Sequence, residues 1–175
     1  EFSSTSKISF PGAGVAVIAA SDRNIEIIKK RMSVQTIGYD KINQYRHVKF
    51  YKDVDGIKRH MKLHREILAP KFKAVIDEFE NGLGEYGIAE WTKPNGGYFI
   101  SLNVMPGTAK RVYSLCKEGG VTLTTVGATF PYGIDPEDKN IRIAPSYPPV
   151  DELLAATRLL CICVRLAAVE KLLGE

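Results

Sequence analysis

A chain of 175 residues with 45% hydrophobic and 25% charged side chains has the make-up of an ordinary globular protein with a buried core, which excludes a disordered or fibrous one. Its formal charge of +4, the balance of 24 basic and 20 acidic residues spread along the chain, is too small to imply nucleic-acid binding. No signal peptide is visible, and the most apolar run, residues 159–164, is bounded by Arg158 and Arg165, far short of the ~20 residues of a membrane-spanning helix.

Glu1-Phe2 reads as the end of a strand with no initiator methionine, so the chain is expected to be a fragment that opens inside a structural element. Residues 15–20, Val-Ala-Val-Ile-Ala-Ala, form an apolar run between glycines and Ser21-Asp22, which predicts a buried strand. Ser21-Asp22 then caps a helix to about Met32, with Ile25, Ile28 and Met32 on one face. Residues 33–50 are mixed and polar with no clear period, and an irregular connection is expected there.

A long helix over about 53–80 is predicted from the stripe Ile57, Met61, Ile67, Leu68, Phe72, Val75, Ile76 and Phe79. Pro70 is expected to kink or break it, and Gly82 and Gly84 to end it. Trp91 leads through the turn Pro94-Asn95-Gly96-Gly97 into an alternating strand over 98–104. A helix at 108–118, short strands at 121–125 and 140–144, and a final helix over 151–173 complete an α+β module. The predicted class is therefore α/β, with residues 1–52 as one region, 53–84 as an inter-domain helix and 85–175 as a small α+β domain.

Three cysteines, Cys116, Cys161 and Cys163, form no Cys-x-x-Cys pair, and an odd number makes a poor disulfide framework. Structural thiols in a reducing cytosol are expected, with no metal bound. His60 and His64 share a helix face, yet Lys58, Arg59, Lys62 and Arg65 around them would repel a cation, so a solvated basic face is the reading.

The chemistry concentrates at Ser4-Thr5-Ser6-Lys7 and the Ile8-Ser9-Phe10-Pro11-Gly12-Ala13-Gly14 that follows. Hydroxyls donate to phosphate, glycine lets backbone N–H groups close round an anion, and a lysine beside them can condense with an aldehyde. From these residues alone a surface lysine in a Ser/Gly loop remains open. A dinucleotide fingerprint is set aside, because its third glycine would fall at Val17. Arg142 lies between Ile141 and Ile143, where a guanidinium is costly unless matched by a carboxylate; an edge arginine turned to solvent is the alternative.

Four blocks in order resemble the fold-type I pyridoxal-phosphate-dependent aminotransferases. They are the Ser4–Gly14 lysine segment, the hairpin Trp91-Thr92-Lys93-Pro94-Asn95-Gly96-Gly97-Tyr98-Phe99, the stretch from Gly120-Val121 to Gly127-Ala128-Thr129-Phe130, and Asn140-Ile141-Arg142-Ile143-Ala144. Within that family the chain looks most like the divergent bacterial aspartate aminotransferases. The resemblance covers the C-terminal portion of the family's fold: the end of the large cofactor-binding domain, a linking helix and the small domain. It implies that Lys7 is the catalytic lysine holding pyridoxal 5'-phosphate as an imine and later moving a proton between the substrate α-carbon and the cofactor. It implies hydroxyl contacts to the cofactor from Ser4 and Ser6, and the substrate's α-carboxylate on Arg142. It also implies amino-acid and 2-oxo-acid substrates, aspartate and 2-oxoglutarate foremost, in a cytoplasmic homodimer. In relatives the region after the lysine helix approaches the partner subunit's active site, which offers Arg46 or Lys41 for recognising a substrate side-chain carboxylate. Many relatives place an arginine eight residues after the lysine, where this chain has Val15, so the phosphate must be held otherwise. A cofactor-sensing module of a transcription regulator, a lyase or decarboxylase on the same fold, and an inactive fragment are the rival readings.

Overall fold

The computed structural model of the chain describes residues 1–174 and divides it into two compact units, Glu1–His64 and Arg65–Glu175. In the first, strands β1 (Phe2–Ser4) and β2 (Ala16–Ile18) pair antiparallel, with Ser3 opposite Val17. The apolar run was expected to be buried, and this is corrected: Val17 is 61% exposed and Phe2 80%. An apolar strand is buried only where a second layer covers it, and β2 has β1 alone as its neighbour. Helix α1 (Asp22–Met32) turns Ile25, Ile28 and Met32 to its least exposed side, as its spacing predicts. Ser21 sits at the cap position, but only its carbonyl takes part, accepting from Ile25 N at 2.9 Å.

Residues 33–50 are not an irregular connection. Helix α2 (Lys41–Tyr51) occupies most of them, capped by Asp40, whose Oδ1 accepts from Asn43 N at 2.9 Å. Its buried face is Asn43, His47 and Tyr51, spaced i, i+4, i+8. A helix whose buried stripe is polar shows no hydrophobic period, which is why the sequence pattern conceals it.

Helix α3 (Val54–Leu83) runs through Pro70, so of the kink or break expected there the break does not occur. Proline there deprives the Glu66 carbonyl of its helical partner, but Glu66 and Pro70 are both exposed, so water can meet that carbonyl.

The second unit holds an antiparallel sheet in the order β3 (Ala89–Trp91), β4 (Ile100–Val104), β5 (Asn140–Ile143). Central β4 alternates cleanly: Ile100, Leu102 and Val104 are buried, and Ser101 and Asn103 take the other face. Two further helices, α4 (Ala109–Glu118) and α5 (Val150–Leu173), join α3 in closing over the apolar face. The core they make centres on Phe79, Leu83, Ile100, Leu102, Val112, Ile141 and Val164. Trp91 packs its ring against Phe79 at 5.5 Å. Arg158 clasps Glu78 with two bonds of 2.9 and 3.1 Å, tying α5 to α3 at their rim.

The strand expected at 121–125 is absent. Val121 N instead closes the end of α4 on the Cys116 carbonyl at 2.8 Å, and β3 and β5 already fill both sides of β4. The strand expected from residue 98 begins at Ile100. No helix among the described residues is long and apolar enough to cross a membrane.

The cysteines are all buried and free. Burial pushes the Cys116 thiol up to about 12 and that of Cys161 up to about 11, and raises Cys163 as well. Thiolate is the reactive form, so all three should stay inert in the folded chain. A thiol-reactive chromogenic disulfide at pH 8 is expected to label none of them within minutes in buffer and all three in denaturant; rapid labelling without denaturant would contradict this burial.

Candidate active site

Lys7 lies in the connection between β1 and β2, exposed and flanked by Ser4, Thr5 and Ser6. The loop is shaped first by its own backbone. Thr5 N donates to the Val15 carbonyl at 2.8 Å, Val15 N donates to Thr5 Oγ1 at 2.8 Å, and Ile8 N closes a turn round Lys7 on the Thr5 carbonyl at 3.0 Å. Gly14 lies where an added Cβ would come 2.1 Å from Ser6 Oγ, so only glycine lets the two arms of the loop approach this closely. Ser6 N reaches Ser4 Oγ at 3.4 Å, placing both candidate hydroxyls beside the lysine.

The loop is shaped secondly by α2. Asn43 Nδ2 donates to the Ala13 carbonyl at 2.8 Å. His47 Nε2 lies 2.9 Å from Thr5 Oγ1 and 3.1 Å from Ser9 Oγ, and Tyr51 donates its hydroxyl to the Ile8 carbonyl at 2.8 Å. Burial raises the Tyr51 phenol above its ordinary value, opposed by a bond with the Ser9 side chain. Phe10 stacks edge-on against His47 and Phe50, and the Arg46 guanidinium lies 5.5 Å over the Phe10 ring. Arg46 therefore leans on the lysine loop itself, whereas Lys41 only begins α2. His60 and His64 stack with ring centroids 4.3 Å apart; burial and the neighbouring His64 charge hold His60 below the usual imidazole range.

Arg142 belongs to the second unit, in β5 opposite Ser101. Period-two alternation sends Ile141 and Ile143 into the core and leaves Arg142 on the polar face with Ser101, Asn103 and Asn140. Its guanidinium carbon stands 4.5 Å over the Phe99 ring, and its Nε is buried without a hydrogen-bond partner. Such a donor can give a hydrogen bond to an added acceptor, and a planar carboxylate is a shape that fits a guanidinium fork.

Two side chains that sequence reasoning missed hold the rest of that face. Asn140 donates through Nδ2 to Ser101 Oγ and Asn103 Oδ1 at 2.8 and 2.7 Å, and accepts from the Thr129 hydroxyl at 2.7 Å. Asn103 in turn donates to Glu90 at 3.0 Å. Gly127 (φ +87°) brings that Thr129 segment round against the Gly133 carbonyl, where a Cβ would intrude to 2.1 Å. Asp135 fixes the entry to β5, accepting from the backbone N–H groups of Asn140, Lys139 and Glu137 at 2.7, 2.8 and 3.1 Å. Burial alone would raise its carboxyl, but those three bonds and the Lys139 charge together hold it below the usual range.

The chain matches the family model described as "Aspartate amino-transferase" over residues 1–175. It is 47% identical to an aspartate aminotransferase of Corynebacterium glutamicum, over 97% of this chain and 39% of that protein. It is 52% identical to a Mycolicibacterium smegmatis protein named "Putative aminotransferase", over 99% of this chain and 41% of that one. A crystal structure of an aspartate transaminase from Corynebacterium glutamicum superposes with a TM-score of 0.92 at 46% identity, covering 97% of this chain and 40% of that one. The chain thus spans about two fifths of the length of the curated relatives it matches.

Asp135 yields a prediction of definite sign. A carboxyl depressed in the folded chain adds stability above its unfolded value, and that stability is lost as pH falls through the folded one. Asp135→Ala is expected to lower the denaturant midpoint at pH 7, with a deficit that shrinks as pH falls through the folded-state titration of this carboxyl; a deficit that acidification leaves unchanged would show that the charge is not what the backbone bonds answer.

Proposed function

Because this chain belongs to the aspartate amino-transferase family, we propose that the whole protein is a pyridoxal-phosphate-dependent aminotransferase, moving an amino group from an amino acid, foremost aspartate, to a 2-oxo acid such as 2-oxoglutarate. The observation that carries the reading furthest is the buried, unanswered Nε of Arg142 on the polar face of β5. A bidentate pair with the substrate's α-carboxylate satisfies it and fixes which bond at the α-carbon is presented for cleavage.

The residues of the lysine loop fit the cofactor. Lys7 supplies an exposed primary amine, Ser4 and Ser6 supply hydroxyl donors, and the close approach at Gly14 keeps side chains out of the cradle. When bound, pyridoxal phosphate supplies an aldehyde for an amine to condense with and a ring that draws electrons from the α-carbon. Lys7 Nζ is the amine that would hold that aldehyde, and it would also carry the α-carbon proton to and fro. Ser4 and Ser6 would donate to the cofactor's phosphate. Position 15 is valine, and residues 8–22 contain no cationic side chain, so hydroxyls and loop amides carry that contact within this stretch.

The reading carries a division of the chain with it. Residues 1–52 are the end of the large cofactor-binding domain, 53–84 the linking helix and 85–175 the small domain. It also carries a cytoplasmic homodimer, for which three free thiols are suited.

Two substitutions in the full-length protein test it. Lys7→Ala should abolish the visible absorption band of lysine-bound cofactor and the amino transfer with it; an unchanged spectrum sinks the assignment. Arg142→Ala should keep the band while raising the KM for the amino acid about 10- to 100-fold, the range set by losing a charged, paired hydrogen bond. A KM unchanged by that substitution would remove Arg142 from the substrate.

A further inference from the structure

His47 has a bonding pattern beyond that of a core histidine. It is 8% exposed, and both ring nitrogens are engaged. Nδ1 lies 2.8 Å from the Asn43 carbonyl, which can only accept, so Nδ1 carries a proton. In the neutral ring Nε2 is then an acceptor, and it faces two hydroxyls, Thr5 at 2.9 Å and Ser9 at 3.1 Å. Thr5 Oγ1 accepts from Val15 N and can donate its own proton to the neutral ring. The result is a directed relay: Val15 N–H to Thr5 hydroxyl, Thr5 hydroxyl to His47, His47 to the backbone of α2.

Thr5 stands two residues before Lys7 and Ser9 two after it. Tyr51, one helical turn further along the same face, takes the Ile8 carbonyl between them. Asn43, one turn earlier, holds the returning arm at Ala13. One face of α2 thus grips the loop on both sides of the lysine through ring, phenol and amide groups.

We propose that His47 is a positioning residue for Lys7: its Nδ1-protonated ring fixes the backbone of residues 5–9 and thereby the path on which the Lys7 amine meets the cofactor and the α-carbon. The proposal rests on the aminotransferase reading. Proton transfer is sensitive to placement, since a shift of about 1 Å can cost up to ~100-fold in rate. Binding of the α-carboxylate, by contrast, is assigned to Arg142 and should not feel the change.

The test uses the full-length protein and three variants. His47→Leu removes both ring nitrogens, His47→Gln keeps an acceptor that can reach the hydroxyls, and Tyr51→Phe deletes only the bond to Ile8. In the cofactor-loaded enzyme His47→Leu should lower kcat about tenfold or more with KM for the amino acid within about twofold, His47→Gln should recover most of that loss, and Tyr51→Phe should lower kcat about threefold. In the cofactor-free protein, amide hydrogen exchange at Thr5, Ile8 and Val15 should quicken at least tenfold in His47→Leu while the amides of α5 keep their protection.

A wild-type kcat in His47→Leu, a loss expressed in KM alone, or unaltered exchange in the loop would each overturn the proposal. Should His47→Leu lose protection throughout the chain, His47→Gln and Tyr51→Phe decide, and normal kcat in Tyr51→Phe with no recovery in His47→Gln counts against it. If the wild-type protein never acquires the lysine-bound absorption band, the functional reading fails instead, while the exchange measurement still reports whether His47 grips the loop.

Discussion

The alternation of β4 and β5 is the constraint on which the second unit depends. Side chains of a strand point to opposite faces in turn, so three core residues of β4 and two of β5 face the helices while their neighbours cannot. Arg142 occupies one of the positions left over. The same pleat that buries Ile141 and Ile143 holds the guanidinium on the polar side beside Ser101, and a slip of one residue in register would exchange them. An unanswered buried donor costs about 1–3 kcal/mol. The unit bears that cost because its core, from Phe79 and Leu83 through Leu102 to Val164, is closed on three helices and does not depend on Arg142 for packing.

The lysine loop is held by different physics. Its ribbon leaves Phe2 and Val17 exposed, so apolar burial does little to fix it. The loop is placed by directed bonds to carbonyls and hydroxyls, supplied partly by its own arms and partly by the polar face of α2. Neutral hydrogen bonds are individually modest, about 0.5–1.5 kcal/mol each, but each has an angle and a length that apolar contact lacks. Such a set specifies where a backbone lies better than it stabilises the fold.

That difference explains what could be read from the residues. Where burial is apolar, spacing reveals it: the alternation of 100–104 and the C-terminal part of the α3 stripe, Phe72, Val75, Ile76 and Phe79, stand in the sequence much as in the structure, whereas Met61 and Ile67 of that stripe are exposed. Lys7 and Arg142 stand out in the sequence for a related reason, each being a charged residue out of keeping with its surroundings. Helix α2 was illegible because Asn43, His47 and Tyr51 mimic a polar connection until their spacing of four is noticed together with Asp40 as a cap. Pro70 misled in the opposite direction: a helix breaker by rule, it is tolerated where the carbonyl it orphans faces solvent. The run at 121–125 misled because strand propensity is a property of segments and a strand a property of pairs.

The two modes of construction also assign different tolerances to substitution. A core closed by many apolar contacts can absorb an exchange of similar volume at any one of them, because no single contact has a direction to lose. A relay such as Val15 to Thr5 to His47 to Asn43 cannot, because its two inner members, Thr5 and His47, each donate to one neighbour and accept from another, and replacing either leaves two groups facing the wrong partner. The residues around Lys7 are therefore constrained by the polarity of their hydrogen bonds rather than by size. Thr5 illustrates the point: serine retains both functions of its hydroxyl, whereas valine, nearly its equal in shape, retains neither.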